Sequence, residues 1–408
     1  MSSWVHVAPL LALVVACTSA PPPGADNRPD RSAGPGDPTS GSPSTDRGPG
    51  EEGPVGVVAI DLQQVFFDTA GKRNPKADVS SRMARSAHLF ELAGSHHVPL
   101  FLTFEASKTG DHALAASLAT ALPLQALQFV KTTFAATGQP QFLPAIKASG
   151  AHRLLVVGAE TDVCIMQTML GLRRAGYEVI AVVDALFTEE VNTAPASRRM
   201  RQAGIVELGI KEAEDLLTTG GRSPAPSTSA PPVIVRPLET GILLHDLADL
   251  GAADTNASAK MVRLRELLLI SEWFRLPVFA ADPATALAAL PANLRSVLTR
   301  PILALSSRPS TVTQLAVTGA HRGLAQAITD LGGKVDVFVV EDTLLGGGAA
   351  DLEPLYVAGA VPTTYKTLYY ELIQSVDDAG WPSQQWVKDG SRYFDMTLAP
   401  EELPPLGP

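Results

Sequence analysis

The chain has 408 residues, of which 45% are hydrophobic and 18% charged, and its formal net charge is −10. That length allows two or three domains with buried cores, and the acidic balance excludes a nucleic-acid partner, which needs clustered Lys and Arg. No run approaches the roughly 18 consecutive apolar residues of a membrane-spanning helix, and Cys17 and Cys164, the only two cysteines, lie in unrelated surroundings that suggest separate roles rather than a disulfide.

The N-terminus reads "WVHVAPLLALVVAC", an apolar core of secretory-signal length that ends in Val14-Val15-Ala16-Cys17. This ending resembles the lipobox of bacterial lipoproteins, in which the signal is cut before the cysteine and that cysteine is lipidated. The resemblance implies a signal over 1–17, a lipid anchor at Cys17 and a place in the bacterial cell envelope facing the periplasm or exterior. The segment before the apolar core carries His6 but no Lys or Arg, so plain secretion is the alternative. Residues 18–54 follow as a tether. Over 21–54, nine Pro, seven Gly and four Ser make 20 of 34 residues, too little apolar surface to offset the entropy of ordering.

A second Pro/Ser-rich stretch, "TTGGRSPAPSTSAPP", gives a linker over 218–232 and separates blocks at 55–217 and 233–384. The blocks look alike. "VGVVAIDLQQ" opens the first and "TGILLHDLAD" the second, and in each a glycine precedes an aspartate by five positions, Gly56 to Asp61 and Gly241 to Asp246. "HHVPLFLTFEA" pairs with "FRLPVFAADPA", and "AGYEVIAVVDAL" with "GGKVDVFVVEDTL". Between the apolar runs lie segments of helical spacing, such as "SSRMARSAHLFELAG", with Met83, Ala87, Phe90 and Leu92 near one face and serines at its start. Continuous Val/Ile/Leu runs separated by such helices predict an α/β fold, a parallel sheet covered on both faces, in two tandem copies. Residues 385–408 read as a tail.

In open parallel sheets, ligands bind beyond the carboxyl ends of the strands. In the first block Asp61 ends "VGVVAI", Lys131 follows "LQALQFV", and Cys164 follows "LLVVGAETDV" and leads into "CIMQTMLGLRRAG". A thiol at a helix N-terminus meets free backbone N–H groups that favour thiolate and can hold an oxyanion. A nearby carboxylate can take the thiol proton, and a lysine can stabilise the thiolate and orient the acid.

The runs "VVAIDLQQVFF", "FVKTTFAA" and "GAETDVCIMQTMLGLRRAGYEVIAVVDA" resemble the isochorismatase-like cysteine hydrolases, a family that includes nicotinamidases, N-carbamoylsarcosine amidase and ureidoacrylate amidohydrolase. The resemblance implies Asp61, Lys131 and Cys164 as the catalytic triad. It also implies a cis peptide at Ala159–Glu160 and an oxyanion hole from backbone N–H groups near Glu160 and at Cys164. The implied reaction is hydrolysis of a C–N bond in a small amide, imide or ureide, through a thioester. Gln63, Phe66, Phe67, Glu160 and Phe134 are pocket candidates, Phe134 being equally readable as core.

Nicotinamidases carry an Asp/His/His metal site in a "DWHP"-like motif, and the matching region here, "TFEASKTGDHALAASL", holds only His112. His96 and His97 are adjacent, which on a helix turns their side chains about 100° apart. The expectation is no metal and no cofactor. In the second block Asp246 takes the place of Asp61, and no cysteine follows Cys164. The nucleophile strand there is either "ILALSSRPSTVTQ" or "LAVTGAHRGLAQ", and the Lys131 position falls near Arg300. "GAVPTTYKTLYYEL" resembles the family's C-terminal segment. The second copy is therefore expected to be degenerate and packed on the first as an intramolecular pseudo-dimer, with further homo-oligomerisation possible in this family. The rival function is a catalytically idle, envelope-anchored binding or scaffold protein.

Overall fold

A computed structural model describes residues 53–106, 113–221, 223–247, 257–346 and 348–373. The signal, Cys17, most of the tether, His112 and the tail lie outside the described residues.

The first half carries β1 (Val55–Ile60), β2 (Leu100–Glu105), β3 (Leu127–Lys131), β4 (Arg153–Gly158), β5 (Glu178–Leu186) and β6 (Val206–Leu208). The second carries β7 (Thr240–His245), β8 (Val278–Ala280), β9 (Leu303–Ala304), β10 (Gln314–Ala320), β11 (Asp336–Leu345) and β12 (Val361–Thr363). The sheet orders are β3-β2-β1-β4-β5-β6 and β12-β11-β10-β7-β8-β9, which are the same order written from opposite edges. Every pairing is parallel. The α/β fold is thus present in two copies.

Alternation along the strands sorts the side chains into layers. In β1, Val57 and Ala59 join one core with Phe67, Leu89, Phe90 and Leu216, from the helices Gln64–Arg73, Val79–Ser95 and Ile210–Thr219. Val58 and Ile60 face the other way, onto Phe142, Met169 and Met200 from Phe142–Ser149, Met166–Arg174 and Ala194–Gln202. That second core continues into Ile242, Leu244 and Phe338 of the other sheet and Leu267, Leu268, Leu368 and Tyr369 of its helices. The two copies therefore share one apolar core. Each fully buried Leu, Ile or Phe there contributes about 1.5–3 kcal/mol, so the copies are not expected to unfold separately.

Buried charge also crosses between the copies. Arg199 forms two hydrogen bonds to Glu371, at 2.6 and 2.7 Å, and its guanidinium lies over the Phe338 ring. Arg198 pairs with Glu341.

Two local expectations are corrected. The helix of "SSRMARSAHLFELAG" starts at Val79, so its serines lie in the first turn, and no side chain caps it. Its fully buried stripe is Ser86, Leu89, Phe90 and Ala93, with Met83, Ala87 and Leu92 only partly covered. His97 lies past the helix end with φ +55°, so the helical geometry assumed for the His96–His97 pair does not apply.

Candidate active site

In the sheet order the chain reverses direction of winding between β1 and β4, the crevice where such sheets bind ligands. Asp61 follows β1 and Cys164 follows β4, so the topology sets them on the two sides of that crevice. Asp61 adopts φ +51°, and its N–H donates to the Thr103 carbonyl at 3.0 Å. This turns its carboxylate inward, where the Thr103 hydroxyl donates to Oδ1 at 3.3 Å. Gly158 ends β4 with φ +122°, and a Cβ there would lie 2.0 Å from the Ile60 carbonyl oxygen. Only glycine lets β4 pass so close to β1 before turning.

After Gly158 comes the cis peptide Ala159–Glu160 and one π-helical turn over Thr161–Ile165. The N–H groups of Val163 and Ile165 both donate to the Glu160 carbonyl at 3.1 Å. Cys164 therefore lies inside a π turn ahead of the α-helix, not at the first turn of the helix itself. Lys131 ends β3, two strand spacings from β1, or about 10 Å, and its long side chain reaches over the end of β2.

These elements bring the three residues together. Lys131 Nζ is 2.7 Å from Asp61 Oδ2 and 3.6 Å from Cys164 Sγ, with both charged side chains fully excluded from solvent. A fourth group, which the sequence reading missed, completes the cluster. Glu105 Oε2 lies 3.7 Å from Cys164 Sγ. Glu105 pairs with Lys131 in the β2–β3 register. Its backbone is fixed by Gln63, which donates to the Glu105 carbonyl at 3.1 Å and accepts from its N–H at 2.7 Å.

Burial decides the electrostatics. It raises the Asp61 carboxyl, an effect that Lys131, Cys164 and Thr103 only partly offset. Burial also pushes Glu105 up to about 7, against the pull of Lys131 and with added repulsion from Asp61. Burial pulls the Lys131 ammonium down, but Asp61, Cys164 and Glu105 outweigh it and hold the group above its ordinary value. The Cys164 thiol is held well above the ordinary range by burial, and Asp61 and Glu105 reinforce this against Lys131. Burial and the two carboxylates thus work against the thiolate-favouring surroundings expected from the sequence, and Lys131 works for them.

Asp61, Glu105 and Cys164 are the one group of three potential metal ligands among the described residues, with ligand atoms within 4.8 Å of one another. The Lys131 ammonium stands beside them, 2.7 Å from Asp61 Oδ2.

The pocket candidates separate. Phe67 is buried and stacked on Phe187 at 4.7 Å, and Phe66 packs against that same core, across the sheet from Cys164. Gln63 spends its amide on β2. Phe134 lies on the Cys164 side, edge-on to Tyr370 of the second half at 4.8 Å. Glu160 faces Lys366 of the second half, 3.3 Å away.

At the matching end of the second sheet, Asp246 has φ +39° and Gly319 has φ +116°, and a Cβ on Gly319 would lie 1.9 Å from the His245 carbonyl oxygen. The counterpart of β4 is therefore β10, in "LAVTGAHRGLAQ". Counting from Gly319 as from Gly158, six residues on, puts Ala325 where Cys164 stands. The β8–β9 pairs end at Ala304, and a count continued from them reaches Ser307, not Arg300, at the step of Lys131, in the 3₁₀ turn Leu305–Ser307. Arg300 precedes β9 and is engaged with the Ser271 and Leu276 carbonyls and with Glu272.

Residues 55–209 match the isochorismatase domain family. Among solved structures, the chain is similar to a MAR1 ribonuclease from Caenorhabditis elegans, at 25% identity over 41% of this chain and 82% of that one, with TM-score 0.35. It is also similar to a pyrazinamidase/nicotinamidase from Streptococcus mutans UA159, at 16% identity over 38% and 99%, TM-score 0.34. An N-carbamoylsarcosine amidase from Thermoplasma acidophilum matches at 12% identity over 38% and 96%, TM-score 0.33. Comparison with curated proteins finds no match.

Proposed function

We propose that the first half is a cysteine hydrolase that cleaves the C–N bond of a small amide, imide or ureide. The observation that carries this reading is the buried Lys131 ammonium, within 2.7 Å of a carboxylate and 3.6 Å of the Cys164 thiol. A lysine sunk between a thiol and a carboxylate costs desolvation, and it compensates the negative charge that appears when the thiol gives up its proton.

Burial raises Asp61, which makes its carboxylate a stronger proton acceptor, and it raises Cys164, which makes the thiol proton harder to remove. Sγ forms a bond to the substrate carbonyl carbon while its proton passes to Asp61. Backbone N–H groups near Glu160 and at Cys164 receive the oxyanion, those of Val163 and Ile165 being engaged with the Glu160 carbonyl. The C–N bond then breaks, the nitrogen takes the proton from Asp61, and a thioester remains. Water attacks that carbon, a carboxylate accepts its proton, the C–S bond breaks, and the thiol is restored with release of the acid. Glu105 touches Sγ and is not ion-paired as closely as Asp61, which suits it to the proton of water.

The test is ammonia or amine release from a panel of small amides and ureides, with the acyl group trapped on the Cys164 peptide by mass spectrometry. Release that survives Cys164→Ala, or none at all from any member, would favour the idle binding-protein reading. The proposal includes lipid anchoring at Cys17. Palmitate incorporation that is lost in Cys17→Ser supports it, and a freely secreted, unlabelled protein contradicts it.

A further inference from the structure

We infer that Lys366, a residue of the second half, is a positioning residue for the nucleophile turn of the first half. This rests on Cys164 being the nucleophile. The last described helix, Tyr365–Ile373, follows β12 and so belongs to the second sheet. Its Lys366 is almost fully buried at 1% exposure, yet it lies among first-half carboxylates. Nζ is 3.1 Å from Asp162 Oδ2, 3.3 Å from Glu160 Oε2 and 3.7 Å from Glu189 Oε1.

The neighbouring Thr367 hydroxyl donates to the Asp162 carbonyl at 3.1 Å, and Tyr370 packs edge-on to Phe134. The second half thereby holds both carboxylates and one carbonyl of the segment 160–162, and Cys164 comes two residues later. From the other side, Asp162 Oδ1 accepts from Thr188 at 2.6 Å.

Three carboxyl groups this close cannot all stay ionised, least of all when no cation stands among them. Without Lys366 the segment must either take up protons or spread. Spreading moves the turn that places Sγ against Lys131 and Glu105. The arrangement gives the degenerate copy a function in the reaction: Arg73 of the first half lies 3.6 Å from Glu189, and Lys366 supplies the cation beside Glu160 and Asp162, the two carboxylates next to the nucleophile turn. A buried ion pair of this kind fixes geometry more than it adds stability.

The full-length protein carries the test. In Lys366→Ala, Cys164 is expected to react with iodoacetamide at least fivefold faster than in the wild type, because the turn opens. Amide hydrolysis is expected to fall in the same sample. Added methylammonium, which fits the space left by the ammonium head, is expected to return the alkylation rate towards the wild-type value, and tetramethylammonium is not. An unchanged rate, or a raised one that ignores methylammonium, would overturn the inference.

If Lys366→Ala folds poorly, Lys366→Met with Glu189→Gln keeps the side-chain length and removes one excess charge, and it should show the same faster alkylation. A wild-type rate there also overturns the inference, as does collapse of both variants whether or not methylammonium is present. Absence of hydrolysis in the wild type would instead remove the hydrolase reading, and the alkylation results would still decide the role of Lys366.

Discussion

The carboxyl ends of β1 and β7 begin alike and end differently. Asp61 and Asp246 share a left-handed backbone, and Gly158 and Gly319 pass equally close to the strand beside them. Beyond these points Lys131, Glu105 and Cys164 surround Asp61, whereas a chain count continued past the paired strands gives Asp246 the counterparts Ser307, Pro283 and Ala325. The turns that shape the crevice are thus present in both copies, and the side chains that could do chemistry are present in one. Fold and chemistry are separable, and the backbone constraint is the more persistent of the two.

The comparison breaks most visibly on activity. Asp61→Asn is expected to lower hydrolysis by on the order of 10²–10⁴, the usual worth of a positioned acid–base group, while Asp246→Asn leaves it within twofold. Steady-state ammonia release on both variants checks this. Equal losses would mean that the second crevice takes part.

Stability should treat the copies alike. Arg199→Met leaves Glu371 buried without its partner and is expected to cost about 3–5 kcal/mol. Denaturant unfolding should show one transition, because the core is shared. Two transitions would contradict that core. Gly158→Ala and Gly319→Ala should each cost on the order of 3 kcal/mol, since both place a Cβ against a carbonyl oxygen in a disfavoured backbone region.

The smallest effect is on pH dependence. Glu105, pushed up to about 7, holds a proton in the folded chain that the unfolded chain releases near pH 4–5. The folded state then binds more protons between those values, so this group's contribution to stability falls as pH rises from about 4.5 to 7. Glu160, pushed up to about 8, and Asp342, to about 7, act in the same direction. The melting temperature should therefore decline from pH 5 to 8, and Glu105→Gln should flatten that decline. A slope unchanged by Glu105→Gln would show that Glu105 is ionised throughout.

Much of this was legible in the sequence. The apolar runs and the glycine-to-aspartate spacing gave both sheets, and three of the four clustered side chains stood at strand ends that motif and spacing identify. Glu105 was missed because its place depends on β2–β3 register, which sets it opposite Lys131 but leaves no local signature. A count outward from β1 along paired strands would have found it. Arg300 precedes the two-residue β9, whose place in the sheet no run of apolar residues announces. Lys366 stands 202 positions after Cys164 in sequence, and only the packing of one copy on the other brings it to the turn. Phe134 reads equally as pocket or core in the sequence, and only the packing of the two copies sets it on the Cys164 side, edge-on to Tyr370.

The central claim is that Cys164 shares its proton economy with Lys131 and the two carboxylates. The most direct test is the pH profile of Cys164 alkylation in the full-length protein, compared with Lys131→Met and Glu105→Gln. The account expects the profile of Lys131→Met to move to higher pH by about one unit or more, because a cation beside the thiol is lost, and that of Glu105→Gln to move lower, because a repelling carboxylate is gone. Three superimposed profiles would show a thiol that does not sense its neighbours, and would contradict the account.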